Sequence, residues 1–91
     1  MAQILIIDDE PAIRSSLREI LEYEGHTVVD EPDGAAGVRT ATRKKFDVIF
    51  CDIKMPRMDG MDVLDMLREK GVDARVIMIS GHATVATAVE A

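Results

Sequence analysis

Residues 4–25, ILIIDDEPAIRSSLREILEYEG, decide the fold. The uninterrupted apolar run at 4–7 has the signature of a strand buried on both faces. Pro11 then suits the first turn of a helix. Ile13, Leu17, Ile20 and Leu21 follow at i, i+4, i+7 and i+8, which places them on one helical face, and Gly25 is a C-cap candidate. The same strand-then-helix unit recurs downstream. Residues 26–30 read as a second strand. Asp33-Gly34 opens a helix in which Ala35, Val38 and Ala41 lie along one side. The run DVIFC at 47–51 is a third buried strand, and a loop over 52–59 leads to a helix carrying Val63, Leu64 and Leu67 that stops at Gly71. Residues 75–79 are a fourth strand, and a further helix is expected from Ala83 onward. The order βαβαβαβα predicts an α/β domain, a doubly wound parallel sheet covered by helices on both faces.

The 91 residues amount to one domain over 1–91. A chain of this size buries only roughly 60–65% of the surface its unfolded form exposes, so its core is small. One cysteine allows no intrachain disulfide, and no Cys/His cluster reads as a zinc site. Apolar residues at 47% and charged residues at 31% describe a globular chain rather than a disordered one. No apolar run is long enough to span a bilayer, so no membrane association is expected. The N-terminus lacks a basic n-region, so the cytoplasm is the expected location. A net charge of −6 argues against direct nucleic-acid binding, which needs a cationic face to displace counterions. Neither a dinucleotide-binding nor a P-loop glycine pattern occurs.

In open parallel sheets, ligands sit at the carboxyl ends of the strands. Here the first strand ends in Asp8-Asp9, the third in Asp52 and the fourth in Ser80. Like charges about 4 Å apart cost about 4 kcal/mol at an effective dielectric of ~20, so converging carboxylates need compensation. A hard dication is the natural one, because Mg²⁺ takes one or two carboxylates together with phosphate and water oxygens. Asp9 alone, just before a helix, reads equally well as an N-cap. Three acids and a hydroxyl on one sheet edge do not. Cys51 reads as a small core residue, His26 as a strand-edge residue, and Met55, Met58 and Met61 as packing beneath the loop after Asp52.

The segments ILIIDDE, VIFCDIKMPRMDG and VIMISGHAT resemble, in order and spacing, the three diagnostic segments of response-regulator receiver domains. The resemblance covers essentially the whole chain. It implies a flavodoxin-like fold with strand order 2-1-3-4-5 and the site at the switch point. It further implies that Asp52 accepts a phosphoryl group from the phosphohistidine of a sensor histidine kinase. Asp9, Asp52 and the backbone carbonyl of Lys54 would ligate Mg²⁺, with Asp8 acting through metal-bound water. Ser80 would hydrogen-bond the phosphoryl group, and the side chains of Lys54 and His82 would tune how long the acyl phosphate survives. The stretch SGHATVATAVEA is similar to receivers of the NtrC class, which precede an ATPase domain and a helix-turn-helix domain in sigma-54-type transcription activators.

Receivers normally continue with a fifth strand ending in lysine and a fifth helix. The sequence stops at Ala91 before either, and no effector domain is present, so strand order 2-1-3-4 is expected. Lys70, at a helix end, should point elsewhere. Without the fifth strand and helix, the fourth strand is expected to be a free edge and one sheet face to be partly bare. That leads to an expected homodimer or larger assembly with Met78 or its neighbours at the contact. A second reading is a receiver-like interaction fragment that is not phosphorylated, because the lysine is missing. A dehalogenase-type phosphatase fits poorly. It needs an acid two residues after its nucleophile, and Asp52 is followed there by Lys54.

Overall fold

Apolar, β-branched runs become strands here because both of their faces find cover, and most helix ends carry a recognisable signal: Pro11 at the start of the first helix, aspartate caps on the second and third, and a left-handed glycine after the first and third. The computed structural model describes residues 1–79 in full and the backbone of residues 86–90. In chain order it contains β1 (Gln3–Ile7), α1 (Pro11–Tyr23), β2 (Thr27–Glu31), α2 (Gly34–Arg43), β3 (Val48–Asp52), α3 (Gly60–Glu69), β4 (Arg75–Ile79) and β5 (Ala86–Glu90). The sheet order is β2-β1-β3-β4-β5. The first four strands are parallel. This is the doubly wound, flavodoxin-like arrangement of strands 2-1-3-4 that the sequence predicts.

Helix ends follow local chemistry. Asp33 caps α2 by accepting from the Ala36 N–H at 2.8 Å. Asp59 and Asp62 form a reciprocal capping box at the start of α3. Beyond α1, the Gly25 N–H donates to the Glu22 carbonyl and the His26 N–H to the Leu21 carbonyl. Gly71 and Val72 repeat the pattern on Arg68 and Leu67 after α3. These paired bonds need a left-handed residue, and Gly25 and Gly71 supply it with φ of 93° and 70°.

The two faces of the sheet are unequally covered. On one, Leu5, Ile7, Ile49, Cys51, Val76 and Met78 pack under α2 and α3 in the main core. On the other, Ile4, Ile6 and Val28 meet Leu17 and Leu21 of α1, with Val48 and Phe50 partly buried beside them. No residue of α1 is fully buried. Ile20, expected on its packed face, is 61% exposed. The periodicity gives the helix a face, but only α1 covers this side of the sheet among the described residues, and the face is wider than the surface it meets. In α2 the buried line is Gly34, Gly37, Val38 and Ala41, and Ala35 is exposed.

Gly37 is where α2 comes closest to β1. A Cβ there would drive into the Cδ1, Cγ1 and Cγ2 atoms of Ile7. Gly37→Ala gains about 1 kcal/mol of helix propensity. Overpacking at a fully buried Ile7 costs typically 1–3 kcal/mol. The net expectation is a lower urea midpoint at unchanged slope; a higher midpoint would contradict the close approach.

Three expectations are corrected at the C-terminal end. The helix expected from Ala83 onward is, at Ala86–Glu90, a strand antiparallel to β4, with Ile79 opposite Ala86 and Arg75 opposite Glu90. The outer edge of β4 is therefore paired rather than free. An unpaired edge offers a row of backbone donors and acceptors, and Thr87 and Val89 are strand-favouring residues in the segment that pairs with it. This β5 is not the parallel fifth strand that the family resemblance implies. Met78 points into the core under α2 and α3, so it offers no contact surface. The half-buried residues of β4 are its alternate ones, Ile77 and Ile79, which lie beside Phe50 and Asp52.

Candidate functional site

The carboxyl ends of β1 and β3 are adjacent in the parallel ladder, with Ile7 opposite Cys51, so the residues that follow, Asp8 and Asp52, share one edge. Together with Asp9 they form a cluster in which one carboxylate oxygen from each lies within 4.8 Å of the others. Asp8 and Asp52 are buried, at 1% and 4% exposure, whereas Asp9 is exposed.

Asp8 is held from several sides. Its N–H donates to the Glu31 carbonyl at 3.2 Å, and its Oδ1 accepts from the Glu10 N–H at 2.9 Å. Its Oδ2 is buried without a hydrogen-bond partner. A buried oxygen left in this state costs about 1–3 kcal/mol, and more when charged. Burial raises the pKa of Asp8, with the neighbouring Asp9 charge adding to it against the lowering effect of the Glu10 N–H.

Asp52 ends β3, and its Oδ1 accepts from the Lys54 N–H at 3.3 Å. Burial, reinforced by the charge of Asp8, pushes its pKa up to about 6. Its backbone is pinned from α3. The Gly60 N–H donates to the Ile53 carbonyl at 2.8 Å, and a Cβ on Gly60 would lie 2.6 Å from the Asp52 carbonyl oxygen. Only glycine lets the start of α3 come this near. Between them, the Met58 N–H closes a tight turn on the Pro56 carbonyl at 2.8 Å. Arg57 sits at its centre with φ of 69°, a left-handed conformation that a side chain adopts at a cost of roughly 1–2 kcal/mol.

Of the sequence-predicted site residues, Asp8, Asp9 and Asp52 come together. Lys54 lies beside them through its N–H, with its side chain exposed. Ser80 and His82 lie outside the described residues. Met55 is buried and Met58 packs against the core, but Met61 is 53% exposed on α3. Cys51 is buried, and burial pushes its thiol up to about 12, which leaves it inert as a nucleophile. His26 accepts from the Ala2 N–H through Nδ1 at 3.0 Å, as a strand-edge residue would. Arg14, which the sequence reading passed over, donates from Nη1 to the Asp8 carbonyl at 2.7 Å. No local signal marks it, because its other partner, Asp30, lies on a different strand.

The donor set suits a hard dication. All the ligating atoms offered are carboxylate oxygens, one is buried and unpartnered, and two of the acids are held at raised pKa by burial and by neighbouring carboxylates. A Mg²⁺ ion placed among them would offset each of these costs. No described helix is long and apolar enough to cross a membrane.

A family model described as "Response regulator receiver domain" matches residues 4–91. The chain is 42% identical over 90 residues to the C4-dicarboxylate transport transcriptional regulatory protein DctD of Pseudomonas aeruginosa, covering 98% of this chain and 19% of that protein. It resembles the response regulator TrrA of Thermotoga maritima, whose crystal structure is a complex with Mg²⁺-BeF. The TM-score is 0.82 at 33% identity, over 90% of this chain and 73% of that one. A chain in the crystal structure of the histidine kinase ThkA in complex with TrrA gives a TM-score of 0.83 at 32% identity, over 91% of this chain and 72% of that one. The chain spans at most 39% of the length of three curated relatives that it matches, DctD among them.

Proposed function

The chain belongs to the response regulator receiver domain family, the phosphoacceptor domains of two-component systems, and on that premise we propose that Asp52 is its phosphoacceptor and that Asp8 and Asp9 hold Mg²⁺ beside it. The observation that carries this reading is the unpartnered Oδ2 of Asp8, buried within a three-carboxylate cluster at the end of β1 and β3. Asp9 and Asp52 would supply direct oxygen ligands and the Lys54 carbonyl a third, with Asp8 acting through water.

In the transfer, an Oδ of Asp52 bonds to phosphorus as the bond from phosphorus to the donor imidazole nitrogen breaks, and the electron pair returns to that nitrogen. The product is an acyl phosphate on Asp52. Such a loose in-line displacement asks little covalent chemistry of the protein, so positioning matters most. A bound Mg²⁺ would screen the anionic nucleophile from the anionic phosphoryl oxygens. The Lys54 N–H keeps the acceptor carboxylate in place, and Gly60 holds its backbone. Ser80 would hydrogen-bond the arriving phosphoryl group, and Lys54 and His82 would set the lifetime of the product.

The donor is a sensor histidine kinase, as the pairing of TrrA with ThkA supports by analogy. The readout is transcriptional, through effector domains of the sigma-54 activator type. The NtrC-like stretch at 80–91 and the identity to DctD support that finer assignment. Self-association belongs to the same proposal, with Phe50 and Ile77 rather than Met78 offering the apolar surface. The reading of an unphosphorylated interaction fragment is less favoured, because it leaves the cost of three converging carboxylates without a purpose.

Mg²⁺ is expected to raise the melting temperature of the chain by mass action, about 2.7 kcal/mol at a hundredfold excess over Kd. Asp9→Asn should remove most of that gain and Lys54→Ala little of it, since only the backbone of Lys54 is a ligand. Equal Mg²⁺ shifts for the unmodified chain and Asp9→Asn, read by scanning calorimetry, would defeat the cation site.

A further inference from the structure

Around Asp8, two contacts come from outside the loop, the Glu31 carbonyl on its N–H and a side chain of α1 on its carbonyl. The parallel ladder between β1 and β2 closes at Ile7 and Glu31, so the carbonyl of Asp8 has run out of strand. Arg14, one turn into α1, supplies the missing donor through Nη1 at 2.7 Å. The same guanidinium donates from Nε to Asp30 Oδ2 at 3.3 Å. The Arg14 side chain is only 18% exposed. Asp30 is shared with Arg18, whose Nη1 reaches Oδ1 at 2.8 Å while its Nε pairs with Glu22 at 3.1 Å. One rigid fork thereby ties α1, β2 and the end of β1 together.

We propose that Arg14 is a positioning residue of the cation site, acting through the peptide between Asp8 and Asp9. That peptide is planar, so fixing the Asp8 carbonyl also fixes the direction in which the chain enters Asp9. Asp8 and Asp9 are then aimed at Asp52 from one held unit. Asp30 is the second anchor of the fork, and Arg18 holds Asp30 without touching Asp8. Groups that orient ligands in this way typically change metal affinity 10–100-fold when removed.

A simple charge effect has the opposite sign, which makes the two separable. Arg14 is a cation close to a site for a dication, so by Coulomb repulsion alone its removal tightens Mg²⁺ binding. By positioning, its removal weakens binding. A surface ion pair kept only for stability would shift the melting temperature slightly and leave affinity alone.

The experiment, resting on the cation-site reading above, is a Mg²⁺ titration of the whole chain by calorimetry and amide chemical shifts, well below the melting temperature of every variant. Arg14→Met is expected to bind Mg²⁺ at least about tenfold more weakly than the unmodified chain. Arg14→Lys keeps the charge and part of the contact, so it should fall between the two. Arg18→Met should stay within about twofold of the unmodified chain or bind more tightly, because it removes a cation without freeing the Asp8 carbonyl. Affinity equal to or tighter than the unmodified chain in Arg14→Met overturns the positioning role while leaving the cation site standing. Should Arg14→Met fail to fold, Arg14→Lys decides, and unchanged affinity there overturns the role. Absence of Mg²⁺ binding by the unmodified chain overturns the cation site and the positioning role together.

Discussion

Asp52→Asn is expected to abolish covalent phosphorylation. With a phosphoramidate donor and Mg²⁺, the unmodified chain should take up one hydroxylamine-labile phosphoryl group, the lability of an acyl phosphate. The asparagine variant should fall to background, because an amide offers no anionic oxygen to phosphorus. Asp8 and Asp9 are the decoys that the test must exclude. Asp9 is exposed and Asp8 is raised in pKa, but neither has the arrangement at Asp52, where the backbone is fixed by Gly60 and Oδ1 is held by the Lys54 N–H. Asp9→Asn should instead retain labelling at high Mg²⁺ and lose it at low Mg²⁺, as a weakened ligand would. Label that persists at similar extent in Asp52→Asn, located by peptide mass spectrometry, would move the acceptor to another carboxylate.

The second large effect is on stability against pH without metal. The Asp52 carboxyl titrates near 6 in the folded chain and near 3.8 when unfolded. Between those values the folded state holds more proton than the unfolded one, so stability falls as pH rises through the window. Asp8 is shifted in the same direction and adds to the trend. In a chelating buffer the melting temperature is therefore expected to climb as pH is lowered from 7 to 5. The gap of about two units corresponds to roughly 3 kcal/mol at the top of the window. Each 1 kcal/mol is worth about 4–8 °C in a domain of this length. Asp52→Asn should recover a little under half of that gain at pH 7, because the amide is still a buried polar group, becoming about 5–10 °C more stable than the unmodified chain by the same conversion. Saturating Mg²⁺ should flatten the pH profile of the unmodified chain. A melting temperature that drops between pH 7 and pH 5 in chelator, with Asp52→Asn no more stable, would show that burial and mutual repulsion do not govern this site.

The strands and the acids were legible because both depend on local pattern. Apolar runs with a carboxylate at their carboxyl end are visible residue by residue, and the parallel alternation puts those ends on one edge. The bounds of β2 and β3 moved by a single residue, to Thr27–Glu31 and Val48–Asp52. What stayed hidden depends on partners distant in sequence. Ile20 has helical spacing but finds nothing to cover it, and residues 86–90 pair with the edge of β4 rather than winding on as a helix. Arg14 reads as an ordinary charged residue of an amphipathic helix until β2 brings Asp30 alongside it. Ser80 follows from the end of the fourth strand as well as from the family resemblance, His82 from that resemblance alone, and both lie outside the described residues.

The uneven cover of the sheet divides the site by how easily its halves come undone. Asp52 is carried by β3, backed by α3 and the main core, and its backbone is released only when that core opens. Asp8 and Asp9 hang from β1 into α1, a helix with no fully buried side chain. Proteins open locally where few apolar contacts must be broken, so transient detachment of α1 costs less than detachment of α3. Arg14 leaves with α1, and the peptide it holds is loosened each time. Two of the three acids at the cation site then stand on the more loosely held of these two elements, while the acceptor stands on the more firmly held one. Any ligand that binds the closed arrangement must also supply the free energy that keeps α1 seated.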